Sequence, residues 1–120
     1  MDQKSKIKKL ISSLEKIYQE ESGKLLFHGW HHIIFVKNKA IDFAKSINAN
    51  LFFVESAALV HDLNYIVKVN SEPEEAKEYR KNILIDSGFA DNEINRIENI
   101  IMEAHTAIRN QNISDEKIIK

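Results

Sequence analysis

Apolar residues recur at three- and four-residue spacing along most of the chain, which is the period of amphipathic α-helices. One segment, from Leu51 to about Leu63, is apolar on nearly all sides, as is typical of a helix at the centre of a bundle. The pattern predicts an all-α fold, a compact bundle of about five helices, in a single domain spanning residues 1–120. The other predicted helices lie near the N-terminus, from Ile33 to Ile47, from Pro73 to about Ser87, and from Asp91 onwards.

The same spacing predicts which side chains face the core. The lysine-rich face of the first helix is predicted to be solvated. The predicted inward positions, in chain order, are Ile7, Leu10, Ile11, Leu14, Ile17, Val36, Ala40, Phe43, Ile47, Ala76, Tyr79, Ile83, Leu84, Ile94, Ile97, Ile101, Ala104, His105 and Ile108.

Capping signals predict where two of the helices begin. Asn50 suits the N-cap of the central helix, and Ser71 with Glu74 forms a capping-box pattern around Pro73. Between these helices, the segment from Tyr65 to Val69 has an alternating pattern of side-chain polarity and is rich in β-branched residues. It predicts a short extended connection.

The composition narrows the possible function classes. A net charge of -1 provides no basic surface, and no apolar run approaches membrane-spanning length, so we expect neither a nucleic acid polymer nor a membrane as partner. The chain has no cysteine, which excludes a disulfide framework, a thiolate zinc site and a cysteine nucleophile. His, Asp and Glu remain as possible metal ligands, and the N-terminus lacks a signal-peptide pattern, so we expect a cytoplasmic protein.

Candidate metal-binding side chains lie on three of the predicted helices. His61 and Asp62 follow the apolar run of the central helix, and an ionised carboxylate buried there would need a partner such as a cation. His32 and His105 lie on inward stripes of two other helices. Any one of these histidines alone is more simply a hydrogen-bonded core imidazole, but histidines on packed helices can also meet at one metal site.

Two histidines and one carboxylate favour particular metals and a particular chemistry. The set suits Mn, Fe, Co, Ni or Zn, with Mg as a less suited alternative because it prefers more oxygen ligands. Such a site leaves positions for water and substrate. A water on the metal can lose its proton near neutral pH and attack phosphorus, so the pattern predicts hydrolytic chemistry.

Three segments resemble the HD-domain superfamily of all-helical, metal-dependent phosphohydrolases. They are His28–Val36, Glu55–Asp62 and Ile100–Thr106, and the resemblance covers most of the chain from His28 onwards. A His-Asp pair alone arises often by chance. The pair behind an Ala-Ala-Leu run, with one histidine before it and another after it, is a fairly specific signal.

The resemblance implies roles for individual residues. His32, His61 and Asp62 would be the metal ligands, and His61 and Asp62 would also be the catalytic residues. His105 would line the site, either as a ligand to a second metal or as a substrate contact. The residues that we expect to contact the substrate are His28, Lys68 and His105.

The chain departs from the family pattern at three points. Phe35 occupies a position where many members have arginine, and Asn64 one where many have glycine. The family's final aspartate ligand lies on a helix that Ser114 would begin here, and the chain ends at Lys120 before that ligand. We therefore expect a fragment of a longer protein, with a natural short form that binds metal weakly as the alternative.

The leading functional hypothesis is an HD-type phosphohydrolase that acts on a phosphomonoester or phosphodiester, with a nucleotide as the expected substrate. One alternative is a non-catalytic HD module that binds metal or nucleotide. A second alternative is a helical interaction domain without a small ligand. The expected partner is a small phosphorylated molecule, and the sequence leaves the oligomeric state open.

Overall fold

The computed structural model describes residues 2–21, 29–67 and 72–119, with side chains described as far as His105. These ranges form helices joined by turns and contain no strand, so the predicted all-α bundle is confirmed. Five longer helices are accompanied by one single-turn helix and one 3-10 turn. Their bounds are α1 (Gln3–Glu20), α2 (Trp30–Ser46), α3 (Leu51–Val60), α4 (Asn64–Val67), the 3-10 turn (Pro73–Ala76), α5 (Lys77–Asp86) and α6 (Asp91–Ile119).

The α3 helix is central, as its apolar composition predicted. It packs against α1, α2 and α6, and its last five residues are all buried. Its start is set by the predicted cap, because the Asn50 side-chain oxygen accepts a hydrogen bond from the Phe53 N–H at 3.3 Å. Burial on all sides requires neighbouring helices around α3, so the end of α3 lies where those helices meet.

The α1 helix packs through residues four apart. Leu10, Leu14 and Tyr18 are buried, whereas Ile17, which the spacing placed in the core, is only partly buried. The Tyr18 ring lies 5.8 Å from the Trp30 ring, centroid to centroid. This aromatic contact joins the end of α1 to the first turn of α2.

The inward face of α2 was predicted correctly in its first half and wrongly in its second. Val36 and Ala40 line a cavity between α2 and its neighbours. Phe43 and Ile47, by contrast, are 66% and 58% exposed, and Ala44 is buried in their place. Spacing alone allowed either continuation of the stripe, and the small alanine permits closer approach of α2 to α3.

The connection after α3 is helical, so the predicted extended segment is wrong for its described part. The Tyr65 N–H donates to the Asp62 carbonyl at 3.1 Å, and the Ile66 N–H donates to the Leu63 carbonyl at 3.0 Å. These bonds build the single turn of α4. Strand propensity is weak without a neighbouring strand, and here packing against the core overrides it.

The helix predicted from Pro73 begins as the 3-10 turn, and α5 itself begins only at Lys77. Ser71, the predicted cap, lies outside the described residues. Glu72 occupies the N-cap of the 3-10 turn, with its N–H donating to Glu75 Oε2 at 2.7 Å. The end of α5 agrees with the prediction, because Gly88 has a φ of 93°, in the left-handed region that favours glycine.

The α6 helix is continuous from Asp91 to Ile119, so Ser114 does not begin a separate helix as predicted. Serine and aspartate inside a helix cost only about 0.5 kcal/mol each relative to alanine, which is less than the cost of breaking and restarting a helix. None of the helices in the described ranges combines the length and the apolar character that crossing a membrane requires.

A buried ion pair links α5 to α6, and the sequence pattern did not predict it. Arg80 is completely buried and donates to both carboxylate oxygens of Glu98, through Nε and Nη2, at 2.7 Å each. Its remaining nitrogen, Nη1, donates to the Pro73 carbonyl at 2.7 Å. One guanidinium therefore ties the 3-10 turn, α5 and α6 together.

Replacing Glu98 by alanine should lower the free energy of unfolding by about 3–5 kcal/mol, because the Arg80 guanidinium would stay buried without its carboxylate. Urea denaturation followed by circular dichroism measures this change. The matched control is Lys81→Met at the exposed neighbouring position on α5, which should shift the free energy by no more than about 0.5 kcal/mol. Equal effects of the two substitutions would contradict a structural role for the pair.

Replacing Tyr18 by phenylalanine should reduce the loss of stability at high pH. Burial raises the pKa of the Tyr18 hydroxyl, and the negative charge of Asp62 raises it further. In the unfolded chain this group ionises at about pH 10. Above that pH the free energy of unfolding falls by about 1.4 kcal/mol per pH unit, because the folded state keeps the proton that the unfolded state has lost.

Urea denaturation at pH 8 and at about pH 11 tests this prediction. Tyr18→Phe should lose less free energy than the native chain between the two pH values. At pH 8 it should not be destabilised by loss of a hydrogen bond, because the hydroxyl has no hydrogen-bond partner among the described residues. The same pH response in both proteins would show that Tyr18 is not the group responsible.

Candidate metal centre

His61 and Asp62 lie in the turn that ends α3. Val60 is the last residue of the helix and His61 is its C-cap, with Asp62 directly after it. Asp62 is only 8% exposed and His61 is partly buried. Because α3 is surrounded by other helices, its end delivers this carboxylate to the interior of the bundle and not to the surface.

His32 reaches the same point from the first turn of α2. The connection between α2 and α3 is short, so the two helices run antiparallel and the start of α2 lies beside the end of α3. His32 Nε2 is 3.4 Å from Asp62 Oδ2, whereas its neighbour His31 is exposed. His32 therefore reaches the carboxylate, with its own side chain 40% exposed.

The hydrogen bond of the His61 ring determines which of its nitrogens is available. Nδ1 lies 2.6 Å from the Ala58 carbonyl oxygen, and a carbonyl only accepts, so Nδ1 carries the hydrogen. In the neutral ring Nε2 then presents its lone pair, and this atom lies 3.1 Å from Asp62 Oδ1. Two acceptors at that distance repel each other unless a second proton or a cation lies between them.

The three side chains have the spacing of ligands around one metal ion. Their candidate ligand atoms, two imidazole nitrogens and one carboxylate oxygen, all lie within 4.8 Å of one another. Ligand atoms bound at about 2.0–2.2 Å in tetrahedral or octahedral geometry lie about 3.0–3.5 Å from their nearest neighbours. The His32–Asp62 and His61–Asp62 distances fall in this range, each measured to a different oxygen of the carboxylate. The donor types, two imidazoles and one carboxylate, fit a divalent transition metal.

His105 lies beside this cluster and not within it. In the described part of the chain, the group close enough to share a metal contains His32, His61 and Asp62 alone. His105 Nε2 is 3.0 Å from Glu72 Oε2, and both residues line a cavity of about 560 Å³ that His61 and Asp62 also line. His105 therefore lies in the wall of that cavity, beside Glu72.

Two residues that we expected to contact the substrate, His28 and Lys68, lie outside the described residues. Sequence reasoning missed Glu72 as a site residue. The helix-start pattern at Pro73 was recognisable, but only the packing of the 3-10 turn against the rest of the bundle places Glu72 beside His105. No local signal could have paired residues so far apart in the chain.

Comparisons with known proteins leave the family of this chain undetermined. No protein-family model, no curated protein and no solved structure matches it. The resemblance to HD-domain proteins therefore stays a prediction.

Replacing His32 by alanine should weaken the binding of Mn²⁺ or Zn²⁺ by at least about tenfold, because each ligand contributes to the coordination geometry. Isothermal titration calorimetry of the metal-free protein measures this affinity. The matched control is His31→Ala at the exposed neighbouring position, which should bind as the native chain does. Equal affinities in the native chain and His32→Ala would exclude His32 as a ligand.

Proposed function

We propose that this protein is a metal-dependent phosphohydrolase of the HD type that acts on a phosphomonoester or phosphodiester. The single observation that carries the proposal is the pairing of the His61 Nε2 lone pair with Asp62 Oδ1 at 3.1 Å, with Nδ1 held by the Ala58 carbonyl. A cation relieves the repulsion between these two acceptors, as a second proton on the ring would. The His32 imidazole, on the other side of the same carboxylate, completes a set that suits Mn, Fe, Co, Ni or Zn.

Each side chain of the cluster has a distinct part in the proposed reaction. A divalent cation held by His32, His61 and Asp62 would activate a water and polarise the phosphoryl group. The Ala58 carbonyl accepts a hydrogen bond from His61 Nδ1 and so holds the ring in the orientation that presents Nε2. Metal-binding histidines are commonly oriented by such a hydrogen bond from their other ring nitrogen. Asp62 presents one carboxylate oxygen to each histidine and so holds both rings around one point.

His105 is the substrate contact in this proposal. It lines the cavity next to the cluster, and the Glu72 carboxylate accepts from its Nε2 when that nitrogen carries a hydrogen. This contact orients the ring toward one side of the cavity. A substrate whose phosphate lies at the cluster would meet His105 across the cavity.

A second candidate is a helical interaction domain. The observation that favours it is an apolar strip on the outer face of α2, where Phe35, Phe43 and Ile47 are each more than half exposed. This candidate requires no metal. A protein without affinity for Mn²⁺, Ni²⁺, Co²⁺ or Zn²⁺ would favour it over the hydrolase.

Hydrolysis of p-nitrophenyl phosphate, bis(p-nitrophenyl) phosphate and a panel of nucleotides, each assayed with Mn²⁺, Ni²⁺ or Co²⁺, tests the proposed activity. Asp62→Ala should lower the rate by at least about a hundredfold, because the carboxylate joins both histidines at the metal. His31→Ala, which leaves the cluster intact, should retain the native rate.

Two outcomes would contradict the enzyme. Metal binding without hydrolysis of any of these compounds would favour the non-catalytic binding module. Hydrolysis that persists at the native rate in Asp62→Ala would come from another site or another protein.

A further inference from the structure

The cavity beside the metal cluster is polar at one end and apolar along its body. On α2, Val36 follows His32 by one helical turn. On α3, Ala58 precedes His61 by about one turn, and on α6, Ile101 precedes His105 by one turn. At the cavity, α3 and α6 therefore each lead to a polar side chain with an apolar wall about one turn before it, and α2 adds apolar wall residues.

The apolar walls belong to the ordered interior of the protein. Ala58 is 8% exposed and Ile101 is 5% exposed, so the surfaces that line the cavity are backed by the core. A volume of about 560 Å³ is that of a pocket for a small organic molecule. The apolar side chains that line its body include Val36, Ala40, Val54, Ala58, Ile101 and Ala104.

The charge of the lining determines which part of a ligand can lie where. The described residues that line the cavity include the carboxylates of Asp62 and Glu72 and no lysine or arginine. An anionic group is therefore repelled unless a cation is bound at the cluster. The body of the cavity favours an uncharged apolar group, since a polar group without hydrogen-bond partners is costly to bury there.

We propose that the body of this cavity binds an aryl or branched hydrocarbon group, so that the substrate is a phosphomonoester of an apolar alcohol and not a nucleotide. The placement of a phosphate group at the metal cluster rests on the proposed function, whereas the binding of an apolar group in the cavity does not. The polar lining residues Asn64 and Tyr65 follow Asp62 closely in the chain, at the metal end of the cavity. A nucleobase brings several donors and acceptors, and the apolar side chains of the body offer them no partners. An aromatic or branched hydrocarbon group fills the same space and leaves no polar atom unpaired.

Binding of 2-naphthol to the metal-free protein tests the subsite without any hydrolysis. Calorimetry should detect binding to the native chain, and Ala40→Leu and Ala104→Leu should each weaken it by about tenfold or more, since added methylenes fill the cavity. The matched control is Glu103→Leu, which places leucine at an exposed position on α6 outside the cavity lining. Two variants on different helices keep the test valid if one of them fails to fold.

The subsite is overturned if 2-naphthol does not bind, or if both cavity variants bind it as tightly as the native chain does. A loss of binding in Phe43→Ser with no loss in the two cavity variants would also overturn it. That result would place the probe on the exposed strip of α2.

Hydrolysis by the Mn²⁺-loaded protein tests the substrate class. The kcat/KM for 2-naphthyl phosphate should exceed that for adenosine 5′-monophosphate by about tenfold or more, and Ala40→Leu should lower it mainly through KM. Preference for the nucleotide would overturn the assignment. Binding of 2-naphthol without hydrolysis of either ester would support the subsite and contradict the phosphohydrolase, so the two proposals fail separately.

Discussion

The need to surround α3 on all sides governs the arrangement of the other helices. A helix that is apolar around its circumference is stable in water only when other helices cover it, and α1, α2 and α6 do so here. The end of such a helix lies inside the bundle. His61 and Asp62 follow directly after that end, so the packing that stabilises the fold also brings two polar side chains to the interior, where His32 meets them.

The far side of the cavity depends on a different interaction. Arg80 forms two hydrogen bonds to Glu98 on α6 and a third to the carbonyl of Pro73. The 3-10 turn is thereby tied to α6, and Glu72, at the start of that turn, lies against His105 on the same helix. A buried ion pair outside the cavity thus helps to hold the 3-10 turn, and with it Glu72, against α6.

The elements that are set by residues close together in the sequence could be predicted from the sequence. The central helix, its Asn50 cap and the glycine stop at Gly88 each follow from contacts within a few residues, and the structure has all three. The errors arose where a local pattern allowed two outcomes. The stripe of α2 could continue through Phe43 or through Ala44, and only the close approach of α3 selects the alanine.

For the candidate site, the sequence by itself placed His32 and His105 on helix faces that carry apolar stripes, and His61 and Asp62 at the end of the central helix. The rotation of about 100° per residue is a property of the helical backbone, so it separates the partly buried His32 from the exposed His31 without any tertiary information. Only the tertiary structure decided the distances from Asp62 to its two histidines, the pairing of His105 with Glu72, and the apolar cavity between them. Distances between helices depend on how all the side chains at their interfaces pack together, and no local pattern contains that information.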